Sequence, residues 1–143
     1  TSLHTRGVVA MAGTFGYELN PALLTAEEKA EIRAQIGCFK QYEQLICEGT
    51  YWRLASPYTD AVSAWMMVSA QQDRALVSAV RLEAEANAAV TYLRLRGLKP
   101  EAVYVEEASG RRYDGAALMN AGIPLPLART EYEAYQFSFV IVE

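Results

Sequence analysis

Histidine, cysteine and long apolar runs are what this sequence has least of, and each shortage removes a class of function. With one histidine, His4, two cysteines, Cys38 and Cys47, and no Cys-x-x-Cys spacing, the chain offers no zinc-type site, and neither a metal nor a cofactor is expected. A Ser-His-Asp hydrolase would need His4 as its base, and a lone histidine near a fraying terminus suits that role poorly. The two cysteines fall in what reads as one helix, where their spacing separates directions by about 180° and heights by roughly 13 Å. A disulfide needs Cα atoms within about 7 Å, so they stay unbridged. No apolar run approaches the ~18 residues of a spanning helix, and no stretch has the order of a signal peptide. A reduced, cytoplasmic setting away from membranes is the expectation.

Basic charge is short as well. Thirteen Lys and Arg face 17 Asp and Glu, for a net charge of −4, and phosphate backbones need a cationic surplus on one face. No nucleic-acid partner is expected. What is present is ordinary globular material: 143 residues, 52% hydrophobic and 21% charged. That length allows one domain, or one small domain with an appendage, and buries roughly 68–70% of the unfolded surface.

The chain reads as three stretches. Val8-Val9-Ala10-Met11-Ala12 lies between Gly7 and Gly13, and an apolar run without polar alternation suits a strand buried on both faces, as in parallel sheets. A loop follows through Asn20-Pro21. Thr25-Ala26-Glu27-Glu28 then fits a capping box, and Ile32, Ile36, Phe39, Tyr42 and Ile46 form one stripe of a helix over 25–47, with Cys38 and Leu45 as a narrower apolar edge. Gly49 is its stop.

From residue 50 the period changes to two. Strands are expected over 51–54, 62–69, 75–82, 90–96, 103–107 and 135–142, separated by turn residues, with a single helical turn over 114–120. Short strands without helical crossovers indicate an antiparallel sandwich. A lone parallel strand and helix cannot bury their own apolar faces, so the first part reads as a piece of something larger.

Five segments carry a resemblance. They are Thr5-Arg6-Gly7-Val8-Val9-Ala10-Met11-Ala12-Gly13-Thr14-Phe15-Gly16-Tyr17-Glu18-Leu19, Tyr51-Trp52-Arg53-Leu54-Ala55-Ser56-Pro57, Ala64-Trp65-Met66-Met67-Val68-Ser69, Leu93-Arg94-Leu95-Arg96-Gly97-Leu98, and Leu118-Met119-Asn120-Ala121-Gly122-Ile123-Pro124-Leu125-Pro126. In this order they resemble the C-terminal part of family 36 glycoside hydrolases, the bacterial α-galactosidases; one departure is Asn20, where the family usually has an acid. The resemblance implies a mainly β fold. Residues 1–48 would be the last strand and helix of a (β/α)8 barrel, and residues 49–143 a C-terminal antiparallel β-sandwich. It also implies a parent that hydrolyses terminal α-linked galactose with retention, through aspartates in Lys-Trp-Asp and Ser-Asp-Asp motifs. Neither motif occurs here, so the chain alone is expected to be inactive. Its expected partners are the rest of the barrel, the parent's α-galactoside substrates and further copies in a homo-oligomer.

The residues themselves agree. Retaining chemistry needs two carboxyls about 5–5.5 Å apart. Glu106 and Glu107 are neighbours on a strand and face opposite sides. Glu83 and Glu85 read as a solvated strand end, and Asp60, Asp73 and Asp114 as turn residues. Gly13 and Gly16 lack the Lys-Ser/Thr of a phosphate loop. No catalytic or metal-binding residue is therefore assigned. Two aromatic clusters remain. Phe15, Tyr17 and Glu18 would lie on the barrel's catalytic face, either at the rim of the sugar pocket or packed between barrel and sandwich. Tyr51, Trp52, Tyr58 and Trp65 would form a stacking platform in a carbohydrate-binding module, or else core. A small independent enzyme, the third reading, needs converging polar groups in a pocket.

Overall fold

The computed structural model describes residues 1–84, 87–127 and 130–142. Its helices begin where side chains can satisfy the orphan backbone donors of a first turn. Ser2 Oγ accepts from the Thr5 amide at the start of α1 (Leu3–Ala10). The capping box of α2 (Ala26–Glu48) is complete: Thr25 Oγ1 accepts from the Glu28 amide at 3.2 Å, and the Thr25 amide donates to the Glu28 carboxylate at 2.8 Å. The loop between them holds a 3-10 turn, Pro21–Leu23, capped by the Asn20 side chain. Gly49 ends α2, and a Cβ there would press into the carbonyl oxygens of Leu45 and Val68.

The strand expected at Val8–Ala12 is a correction. Those residues lie in α1 and its C-terminal turn, and Gly7 is inside the helix rather than at its edge. Thr5, Val8 and Met11 are buried at a spacing of three, a helical stripe laid on the sheet. The physical reason is backbone satisfaction: a helix pairs its own amides and carbonyls, whereas a parallel strand needs neighbours on both edges. Helix packing likewise removes the open apolar edge that a strand would have shown.

Among the described residues eight strands follow: β1 Thr50–Ala55, β2 Val62–Val68, β3 Arg74–Arg81, β4 Tyr92–Leu93, β5 Val103–Glu106, β6 Arg112–Asp114, β7 Ile123–Pro124 and β8 Glu133–Val142. A short helix, α3 (Gly115–Asn120), occupies the helical turn expected at 114–120. One antiparallel sheet runs β1-β2-β3-β8-β5-β6, and β4 pairs with β7 as a separate two-stranded ribbon. The mainly β, antiparallel class is as expected. Two details differ. The run 90–96 pairs only at Tyr92 and Leu93, and β6 and β7 were not foreseen, being too short for a period of two to register.

The sheet is the middle of three layers. Val62, Ala64, Met66 and Val68 of β2, with Ala75, Val77 and Ala79 of β3, face a core closed by Leu93, Leu95, Leu118, Ile123 and Leu125. The opposite face carries Trp65, Met67, Leu76 and Val80 beneath α1 and α2. Central strands covered on both faces lose polar alternation, which is why β2 and β3 are nearly continuous apolar runs. The narrow helix edge of Cys38 and Leu45 faces this sheet together with Tyr42 and Ile46, while Ile36 points outward at 37% exposure.

Candidate functional site

The aromatic loop candidates are brought together in part. The Phe15 ring stacks on Phe39 of α2, with centroids 5.0 Å apart and planes at 16°, and meets Tyr17 edge-on at 5.2 Å. Tyr17 extends its hydroxyl to the side-chain oxygen of Gln35. Glu18 is exposed and joins neither ring. The loop therefore closes over α2, with two aromatics as fasteners and Glu18 left outside.

Gln35 is the residue that sequence reasoning missed. It is buried, and its Nε2 donates to the Leu3 carbonyl and to Glu31, both at 3.1 Å, while its oxygen accepts from Tyr17. One amide thus joins α1, α2 and the loop. Gly7 packs flat on it, and a Cβ at that position would overlap the Gln35 side chain. The available signal was spacing, since Glu31, Gln35 and Cys38 lie on one face with Tyr42 and Leu45. Burial pushes the Tyr17 phenol up from its ordinary value, and the nearby Glu31 charge adds to the rise. The phenol is held protonated as a donor.

A cleft of about 210 Å³ opens beside this network, lined by His4, Val8, Met11, Glu31, Ala34, Gln35, Cys38 and Gln136. His4 lies in α1 with Nε2 3.3 Å from the Ala134 carbonyl. The Cys38 thiol donates weakly to Gln136, whose amide donates to Ser78 at 3.2 Å, and burial raises the thiol's pKa. Cys38 and Cys47 are both free. These groups hold one another, and the arrangement is that of a packed polar seam rather than a reaction centre.

Of the remaining acids, Glu106 and Asp60 serve the backbone. Glu106 is buried and accepts from the amides of Ala108 and Ser109, whereas Glu107 turns to the other side and accepts from Tyr42 at 2.9 Å. Asp60 takes the Ser56 amide at 2.8 Å, Asp73 takes the Ser69 hydroxyl, and Asp114 precedes α3 without a side-chain cap. Glu83 is exposed, and Glu85 lies outside the described residues. Among the described residues no three His, Cys, Asp or Glu gather as a metal site would require, and no helix is long and apolar enough to cross a membrane.

Of the second aromatic cluster, Trp65 is buried under α1 and Trp52 packs on the large core, against Gly97 in a left-handed turn (φ +71°). Tyr51 is about half exposed and Tyr58 is 89% exposed. The tryptophans belong to the core.

An antiparallel β-domain carrying α1 and α2, whose outer side is still apolar at Leu23 of the connecting loop and Ile36 of α2, is thus a module with its own core. Comparison with known proteins gives the family. Residues 62–139 match the glycosyl hydrolase family 36 C-terminal domain, and residues 1–49 match the melibiase family. The chain belongs to glycosyl hydrolase family 36. It is 71% identical over 139 residues to the bifunctional alpha-galactosidase/sucrose kinase AgaSK of Mediterraneibacter gnavus, covering 97% of this chain and 15% of that protein. Alpha-galactosidase AgaA of Geobacillus stearothermophilus is 45% identical over 131 residues, covering 92% and 18%. Among solved structures, the galactosidase domain of AgaSK superposes with a TM-score of 0.97 at 70% identity, over 99% of this chain and 20% of that one. The structure of AgaA gives 0.96 at 42%, with the same coverage. The chain spans less than a quarter of the length of these relatives.

Proposed function

We propose that this chain acts as the C-terminal structural module of an α-galactosidase that releases terminal α-linked galactose with retention, and that it is inactive alone. The observation that carries the reading is the pair of family matches, melibiase over 1–49 and family 36 C-terminal domain over 62–139, in a chain that is a small fraction of its relatives. Residues 1–48 complete the catalytic domain, contributing helices where a last strand was expected, and residues 49–143 form the sheet domain behind it. A groove of about 270 Å³ lined by Tyr17, Leu19, Pro21, Leu24 and Ile32, with Lys29 and Arg33 also in its wall, supplies mainly apolar surface for the rest of that domain. Phe15 and Tyr17 fix the loop, and Glu18 stands at the rim of the sugar pocket. The nucleophile and the acid/base are aspartates outside this chain, since none of its three aspartates follows Trp or Ser. Its place is the carbohydrate metabolism of a reducing cytoplasm, which suits two free cysteines, in a homo-oligomer.

The test is an exchange. Putting this chain in place of the corresponding region of AgaSK should leave aryl α-galactoside hydrolysis within a few-fold of the parent, while the chain alone gives only the buffer rate between pH 4 and 8. A rate from the chain alone that survives repurification, or an exchange that folds but cannot hydrolyse, overturns the proposal.

A further inference from the structure

A second groove, of about 420 Å³, lies on the other side of the sheet from the loop cluster, between the β1–β2 turn and β4. Leu54 and Val62 are part of its lining, with Thr91, Tyr92, Arg94, Arg96 and Asp60 around them. The Tyr92 ring is 60% exposed, although it stands in a paired strand whose neighbour Leu93 is core. Among the described residues the guanidinium groups of Arg94 and Arg96 make no hydrogen bond or ion pair. Asp60 uses one carboxylate oxygen, Oδ2, on the Ser56 amide and the Thr59 hydroxyl, and the other is open.

Beneath the groove lies a buried cation. Arg81 is 5% exposed, and its two terminal nitrogens donate to Thr91 Oγ1 at 3.3 and 3.4 Å. Its Nε is buried with no hydrogen-bond partner. A hydroxyl that accepts from a guanidinium has its own proton left to give, so Thr91 is set as a donor at the groove wall. Buried guanidinium groups are costly to keep, and this one is steadied by Thr91 on the groove side and lies close enough to the Tyr135 phenol of β8 to act on it.

From this arrangement we propose that the groove is a saccharide-binding site of the sheet domain, separate from the loop of Phe15 and independent of the hydrolytic reading above. An exposed ring offers a flat apolar face for the C–H side of a pyranose. Two forked guanidinium groups and the Thr91 hydroxyl donate to ring hydroxyls, and the open oxygen of Asp60 accepts from one. A simple anion uses the arginines but meets repulsion from Asp60; a neutral oligosaccharide uses all four kinds of group.

The experiment titrates raffinose, a neutral trisaccharide, into the full 143-residue chain and follows amide chemical shifts, with inorganic phosphate as a parallel probe. Saturable raffinose binding is expected in the millimolar range. Its Kd should rise about tenfold in Tyr92→Ala and in Arg94→Ala, and stay unchanged in Tyr58→Ala, whose ring is exposed but outside the groove. Unchanged thermal midpoints keep the comparison on binding. Absence of saturation at tens of millimolar, shifts produced by phosphate alone, or raffinose binding lost in Phe15→Ala but not in Tyr92→Ala would each overturn the assignment. No hydrolysis enters the readout, so this outcome and that of the exchange above are read separately.

Discussion

The two faces of the six-stranded sheet are sealed in different ways. On the ribbon side, fifteen buried residues, among them Met66, Val77, Leu118 and Phe139, form one continuous apolar cluster. On the helix side the apolar contacts split into two smaller clusters, around Met67 and around Trp65. Polar groups fill this side: Gln35 ties α1, α2 and the loop, Gln136 donates to Ser78 across the sheet surface, and Tyr42 donates to Glu107. A close-packed apolar core gains most from area and shape, whereas a polar seam gains little net energy but fixes geometry. The ribbon side carries stability, and the helix side sets where two helices lie.

Truncating one phenylalanine on each side should separate the two faces most widely. Phe139→Ala removes a ring that is 1% exposed in the large cluster and should cost about 3–5 kcal/mol in denaturant unfolding. Phe39→Ala removes a half-buried ring whose partner is Phe15 on the loop, and a cost of about 1–2 kcal/mol is expected, near the transfer value of part of its area. Equal losses would mean that α2 is as deeply built into this chain as β8. In an assembly where a barrel covers α2, the Phe39 cost should grow.

Gln35→Leu sharpens the contrast by testing the seam at its most connected residue. The variant keeps volume but strands the Tyr17 hydroxyl, the Leu3 carbonyl and one contact of Glu31. Leaving buried polar groups without partners costs about 1–3 kcal/mol. The effect should be concentrated in amide exchange of α1 and the loop, with the amides of β3 and β8 protected as before. Loss of protection throughout the sheet would show that the seam, not the ribbon core, holds the fold.

How much could be read without coordinates follows the same division. The capping box at Thr25, the stop at Gly49 and the longer strands were legible because each rests on local rules of a few residues. The core fate of Trp52 and Trp65 was one of two open readings, and the structure decided it. The helix at Leu3–Ala10 was not legible, because Val8-Val9-Ala10-Met11 has no alternation and an apolar run of that length fits either a strand or a buried helix. Its Ser2 cap was the overlooked sign. Of the candidate site, Phe15 and Tyr17 stood out as aromatics in a Gly-rich loop. Gln35 did not, because a glutamine on a helix is nearly always solvated and only tertiary contact gives it three partners. The groove at Tyr92 was hidden for a similar reason, since it joins two segments far apart in the chain.

The smallest expected effect concerns the tie between α2 and the turn after β5. Tyr42 donates to the Glu107 carboxylate at 2.9 Å, and Arg74 lies 5.7 Å over its ring. Burial raises the Tyr42 phenol above its ordinary value of about 10.0; the Ser138 side chain opposes the rise, and the bond to Glu107 and its charge add to it. The folded chain therefore keeps this proton where the unfolded chain has begun to lose it. The sign follows: the contribution is complete below about pH 10 and is lost as pH climbs through the folded value. Tyr104, a buried phenol of the ribbon side, is raised mainly by burial as well, so the wild type should lose stability steadily above pH 10. Tyr42→Phe should cost about 1 kcal/mol at neutral pH, for the bonds of one part-buried hydroxyl that donates to Glu107 and accepts from Gln41 Nε2. Its alkaline decline should then be shallower than that of the wild type, with the parts of the other raised phenols, Tyr17, Tyr104 and Tyr135, remaining. Urea midpoints measured between pH 8 and 11.5 decide the matter. Two parallel curves would show that Tyr42 ionises as freely in the folded chain as in the unfolded one, and that the helix-side seam is open to water at this point.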